Sequence, residues 1–96
     1  MAEECRYTNE EAASEAKASL PDWRVEEGML TRSVKTGNFA ESLLAANAIG
    51  YLAEKADHHP DLTVKWGSLD IALRSHDVDA LTDRDFQLAK QIETVL

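Results

Sequence analysis

The sequence predicts an α+β fold: a two-layer sandwich with helices packed on one face of a four-stranded antiparallel sheet. Two observations predict it. Apolar residues recur at helical spacing in some segments and alternate in others, in the order α-β-β-α-β-β-α. Both strand pairs are joined by short, turn-forming links, Glu27-Gly28 and Gly67-Ser68, which suit hairpins and leave no room for crossover helices. At 96 residues the chain is long enough for one domain, spanning 1–96, with a thin core that pairing with another copy would help.

The elements follow in order. Thr8 and Glu11 have capping-box spacing and open a helix over Asn9 to Ser19, which Pro21 ends. Trp23 to Glu26 and Met29 to Lys35 read as strands, with Leu30 and Val34 on one face. Asn38 and Glu41 repeat the capping spacing, and a long helix runs to about Lys55. Its expected buried stripe is Phe39, Leu43, Ala46, Gly50 and Ala53, widened by Leu44, Ala48, Tyr51 and Leu52. Leu62 to Trp66 reads as a third strand, with Leu62, Val64 and Trp66 on one face. Leu69, Ile71 and Leu73 alternate with Asp70, Ala72 and Arg74 in a fourth. Thr82, with Asp85 at the third position, opens a last helix that buries Phe86, Ala89 and Ile92, with Leu96. The uncovered face of the sheet is left to solvent or to a second copy.

Composition narrows the functional classes. The net charge is −8, and the 10 Lys and Arg residues are scattered with no two adjacent, which argues against direct nucleic-acid binding and against an anionic membrane surface. The apolar run from Leu43 to Ala53, interrupted by Asn47, is too short and too polar to span a bilayer. The start, MAEECRYTNEE, lacks the basic and apolar regions of a secretory signal, so a cytoplasmic protein is expected. The single cysteine, Cys5, forms no internal disulfide and reads as an exposed, inert thiol.

The chemistry is concentrated between Glu54 and Asp85. All three histidines, His58, His59 and His76, fall there among Glu54, Asp57, Asp61, Asp77 and Asp85. Pro60 pushes His59 towards extended backbone, so the histidine pair sits in the loop beyond the long helix. If the third and fourth strands pair as a hairpin, His76 returns to the end of the sheet where Pro60 and Asp61 enter it. Histidine gives and takes protons near neutral pH, and nearby carboxylates fix its tautomer, so the cluster suits a reaction that moves two protons without redox. Each residue also has an ordinary explanation. A histidine complements the dipole at a helix C-terminus, Asp85 suits the first turn of any helix, and Glu54 suits a surface. Zinc is the competing functional reading, although adjacent histidines rarely aim at one ion and no metal-binding spacing is present on a helix. The four glycines form no phosphate loop, and no Gly-x-Ser-x-Gly occurs.

Glu54, His58, His59, Pro60, Trp66, His76 and Asp85 stand at a spacing that resembles the active-site signature of the pterin-4a-carbinolamine dehydratases. Ala53-Glu54-Lys55, Ser75-His76-Asp77 and the run from Ala80 to Phe86 are also similar to that family, and the likeness covers about residues 20 to 95. The resemblance implies the two-layer sandwich and assembly into a homodimer or homotetramer. It implies dehydration of 4a-hydroxytetrahydrobiopterin to quinonoid dihydrobiopterin, which recycles the cofactor of an aromatic amino-acid hydroxylase, the implied pathway partner. No metal or other cofactor is implied. His58 and His76 carry over as acid–base groups, and His59 as a ring-binding group that shares the proton work. Glu54 and Asp85 support the histidines. Pro60, Asp61, Trp66 and Ser75 carry over as substrate-binding positions, with core filling the alternative for Trp66. Many members carry glycines where this chain has Asp79-Ala80, so a loop relying on glycine φ angles is expected to run differently.

A different class of function shares the resemblance. Dehydratase-like relatives act without catalysis, as an assembly factor for the carbon-fixing carboxylase or as a dimerisation cofactor of a homeodomain transcription factor. An assembly factor has no use for Glu54, three histidines and Asp85 together.

Overall fold

The computed structural model describes residues 6–96; Cys5 lies outside that range. The elements are β1 (Arg6–Tyr7), α1 (Asn9–Ser19), β2 (Arg24–Glu26), β3 (Met29–Lys35), α2 (Phe39–Ala56), β4 (Asp61–Val64), β5 (Ser68–Leu73), β6 (Leu81–Thr82) and α3 (Asp83–Glu93). Four strands form one antiparallel sheet in the order β2-β3-β5-β4, with the three helices packed against it. The expected α+β sandwich is therefore present. A second, two-stranded sheet pairs β1 with β6, Arg6 against Thr82 and Tyr7 against Leu81. Strands of two residues have no alternation for a sequence pattern to reveal.

Register decides what the core contains. Leu30 pairs with Leu73, Arg32 with Ile71 and Val34 with Leu69, so these share the covered face with Leu62 and Val64. Leu30, Leu69, Ile71 and Leu73 are sealed against Ala12, Ala16, Ala46, Ile49, Ala53, Phe86, Leu88 and Ile92 from the helices. Arg32 is the exception on this face. Its Nε donates to Glu93 Oε1 at 2.8 Å, and Trp23 Nε1 donates to the same oxygen at 2.7 Å. One carboxylate at the end of α3 thus ties the α1–β2 loop and β3 to the last helix.

Both predicted capping boxes around α1 and α3 form. At α2, Asn38 accepts from Glu41 N at 2.9 Å, but the Glu41 carboxylate reaches past the cap to the Gly37 N–H. The stripe of α2 differs from the reading. Ser42, Ala46, Ile49 and Ala53 face the core, whereas Phe39, Leu43, Leu44 and Tyr51 are exposed. The helix is apolar on both sides, so periodicity alone does not select the face. Ser42 is drawn inward by its hydroxyl, 2.5 Å from Thr36 Oγ1. Leu96 is exposed as well, because α3 ends at Glu93. The strand read as Leu62 to Trp66 stops at Val64. Lys65 N donates to Ser68 O at 2.9 Å and closes a tight turn, which lifts Trp66 out of the pleat to 70% exposure.

Three surface carboxylates are held below their usual range: Glu11 by Thr8, Asp70 by Lys65 and Ser33, and Asp77 by Arg84. A depressed folded value contributes stability above the unfolded value, near 3.8 for Asp70, and that stability is lost as pH falls through the folded value. The Tm advantage of wild type over Asp70→Asn should therefore hold from about pH 7 to 5 and fall away as the pH drops below 3.8. It should be small and shrink in high salt, as for any exposed pair. An advantage that grows on acidification would contradict the assignment.

Candidate active site

The site forms where three elements end together. Asp61 pairs with Ala72, so the residues just before β4 and just after β5 lie at the same end of the sheet, beside the start of α3. The end of α2 aims the first histidine. Asp57 adopts the left-handed conformation, φ 51, and His58 N donates back to Ala53 O at 3.1 Å. This Schellman-type closure turns the chain sharply and directs His58 inward.

There His58 meets a buried aspartate. Nε2 lies 2.6 Å from Asp85 Oδ1; Asp85 is fully buried and His58 is 7% exposed. The other oxygen, Oδ2, accepts from the Thr82 backbone N–H at 3.0 Å and from Ser75 Oγ at 2.9 Å. Asp85 thus caps α3 through one carboxylate oxygen and meets His58 through the other. A carboxylate offers only lone pairs, so the hydrogen of a neutral His58 sits on Nε2 and Nδ1 carries the free lone pair. Among the described residues the one sealed and unpartnered side-chain nitrogen or oxygen is Arg74 Nε, so His58 Nδ1, which has no partner, reaches solvent.

His59 and Glu54 also come together, Nε2 to Oε2 at 2.8 Å, on the exposed surface. His76 is exposed in the turn after β5, next to Asp77. Arg84 Nη2 donates to Asp77 Oδ1 at 2.8 Å and holds that carboxyl below its usual range, which keeps negative charge beside His76. Pro60 is half-buried, and Asp61 is exposed at the start of β4. Of the other two expected substrate-binding positions, Trp66 lies away from this cluster and Ser75 lies within it, below the surface. Trp66 sits in the turn at the other end of the β4–β5 hairpin, five residues beyond Asp61, a span of about 16 Å at ~3.3 Å per residue. Ser75 is sealed, with its hydroxyl committed to Asp85 and Thr82.

The loop after His76 keeps a glycine-like angle without glycine. Asp79 itself adopts φ 52, and its carboxylate pairs with Arg74. Aspartate tolerates this region better than most residues, so the turn is made here without glycine. What the sequence reading missed is the part of Thr82, taken as a cap alone, and of Tyr7. Tyr7 Oη donates to Asp83 Oδ1 at 2.7 Å and its ring lies 4.8 Å from that of Phe86, which clamps the start of α3. No group of three His, Cys, Asp or Glu side chains among the described residues is placed to hold a metal ion. No helix among them is long and apolar enough to cross a membrane.

The fold and the site together define a small two-layer α+β protein with a carboxylate-anchored histidine and two exposed histidines at one end of its sheet. The sequence profile of the family described as pterin 4 alpha carbinolamine dehydratase matches residues 6–95. The chain belongs to that family. A provisionally named pterin-4-alpha-carbinolamine dehydratase of Chloroflexus aurantiacus is 33% identical over 88 residues, covering 92% of this chain and 95% of that one. One from Rubrobacter xylanophilus is 41% identical over 75 residues, covering 77% and 70%. Among solved structures, the transcriptional coactivator/pterin dehydratase of Brucella melitensis superposes with a TM-score of 0.85 at 27% identity, over 95% of this chain and 98% of that one. A pterin dehydratase-like RuBisCO assembly factor of the alpha-carboxysome shares the fold, with a TM-score of 0.65 at 18% identity, over 77% of this chain and 88% of that one.

Proposed function

We propose that this protein dehydrates 4a-hydroxytetrahydrobiopterin to quinonoid dihydrobiopterin and water, in the recycling of tetrahydrobiopterin. The observation that carries the reading is His58, held by buried Asp85 with its free ring nitrogen at the surface, on the same end of the sheet as His59 and His76. The reaction breaks the C4a–O bond and the N5–H bond and forms a C4a=N5 double bond. One proton reaches the departing hydroxyl and one leaves N5, so no electrons are exchanged with a cofactor. His58 and His76 are the acid–base pair. His59, steadied by Glu54, lies against the pterin ring, with Pro60 and Asp61 at the same edge.

The active form is a homodimer or homotetramer. α2 leaves Leu44 and Tyr51 about two-thirds exposed, with Phe39 and Leu43 also exposed on the same helix, apolar surface of the kind that another copy covers. Light scattering should give a mass of at least two chains, and Leu44→Glu should lower it; a monomeric wild type would refute this.

The dehydratase reading is tested by the rate of quinonoid dihydrobiopterin formation, coupled to phenylalanine hydroxylase. Acceleration above the spontaneous rate supports it. No acceleration from folded protein overturns it and favours a non-catalytic binding protein, such as an assembly factor or a transcriptional dimerisation cofactor. The fold alone accommodates either role.

A further inference from the structure

Ser75 cannot meet a substrate, since it is 1% exposed, yet its hydroxyl is central to the site's hydrogen-bond network. Thr82 Oγ1 accepts the backbone N–H groups of Arg84 and Asp85 at the start of α3, which occupies its lone pairs. The hydrogen left to Thr82 points to Ser75 Oγ, 2.8 Å away. Ser75 in turn gives its hydrogen to Asp85 Oδ2 at 2.9 Å. The capped helix end thus polarises a one-way chain from Thr82 through Ser75 to Asp85, and Oδ1 is left to face His58. Ser75 is itself pinned: its backbone N–H donates to Ala80 O at 3.1 Å and its carbonyl accepts from Ala80 N at 3.3 Å. That bridge closes the turn carrying His76, so one buried residue spans both sides of the site.

We infer that Ser75 is a positioning residue, which orients the Asp85 carboxylate and through it the tautomer and aim of His58. The kinetic consequence rests on the dehydratase reading; the structural consequence does not. The variants are Ser75→Ala, which removes the hydroxyl, and Ser75→Thr, which keeps it. The first readout is the solvent-exchange rate of the His58 Nε2–H proton, followed by NMR on protein labelled with 15N-histidine. Exchange in Ser75→Ala should rise about tenfold, the effect of one lost hydrogen bond, while core amides stay protected and Ser75→Thr stays near wild type. The second readout is the dehydration rate. Ser75→Ala should lower kcat about ten- to a hundredfold with KM little changed, and the effect should disappear in an Asp85→Asn background. Unchanged exchange in folded Ser75→Ala overturns the inference, as does a loss that appears in KM. If wild type shows no dehydration, the functional reading fails and the exchange readout alone decides the role of Ser75. Should Ser75→Ala not fold, Ser75→Cys keeps the volume with a weaker donor and carries the same comparison.

Discussion

Replacement of His58 by alanine should lower kcat for dehydration about 10²–10⁴-fold, the usual contribution of a positioned acid–base group. The expectation follows from how the ring is held. Asp85 occupies Nε2, so proton exchange with a substrate falls to Nδ1, the nitrogen that reaches solvent. Alanine removes that group and leaves Asp85 Oδ1 facing a space with no donor. The fold should survive, because Thr82 and Ser75 still satisfy Oδ2. Steady-state rates of folded His58→Ala check this, with far-UV circular dichroism as the control. A loss below about tenfold would move the proton work to His59 and His76.

Asp85 should show the largest combined effect. Alanine there strands the Ser75 hydroxyl, the Thr82 N–H and the His58 Nε2–H in a sealed space. Unsatisfied buried donors and a broken buried pair cost about 3 kcal/mol together, a large share of the stability of a domain this small. Asp85→Asn separates the two roles. Its carbonyl oxygen can still serve Thr82 and Ser75, but its amide would face His58 with hydrogens. The imidazole must then move its own hydrogen to Nδ1, which is the wrong tautomer for accepting a proton there. The expected result is a loss of about 1 kcal/mol in urea unfolding with at least about a hundredfold fall in kcat. Equal losses of stability in the two variants would show that the bonds from Thr82 and Ser75 contribute nothing beyond the His58 contact, and an unchanged kcat in Asp85→Asn would show that the carboxylate has no separate role in holding His58.

The order of the main elements, and the end of the sheet on which the histidines gather, are legible in the amino-acid pattern alone. Alternation in Leu69, Ile71 and Leu73, the capping spacings at Thr8 and Thr82, and the His-His-Pro loop are local patterns, and local patterns survive without knowledge of the rest of the chain. Spacing also singled out Glu54, the histidines and Asp85, and the structure brings Glu54 to His59 and Asp85 to His58. Which partner each side chain meets is settled by packing between distant segments. The choice of Ser42 over Leu43 on α2, the exposure of Trp66 and the β1–β6 pairing depend on groups far apart in sequence. The difference between His58 and His59 is of the same kind. Both are histidines in one loop, but Asp57 turns the first towards a carboxylate 27 residues away and leaves the second to solvent. Ser75 makes the point most plainly: the resemblance offers it as a substrate-binding position, and burial gives its hydroxyl to Asp85 instead, because a sealed donor must find an acceptor.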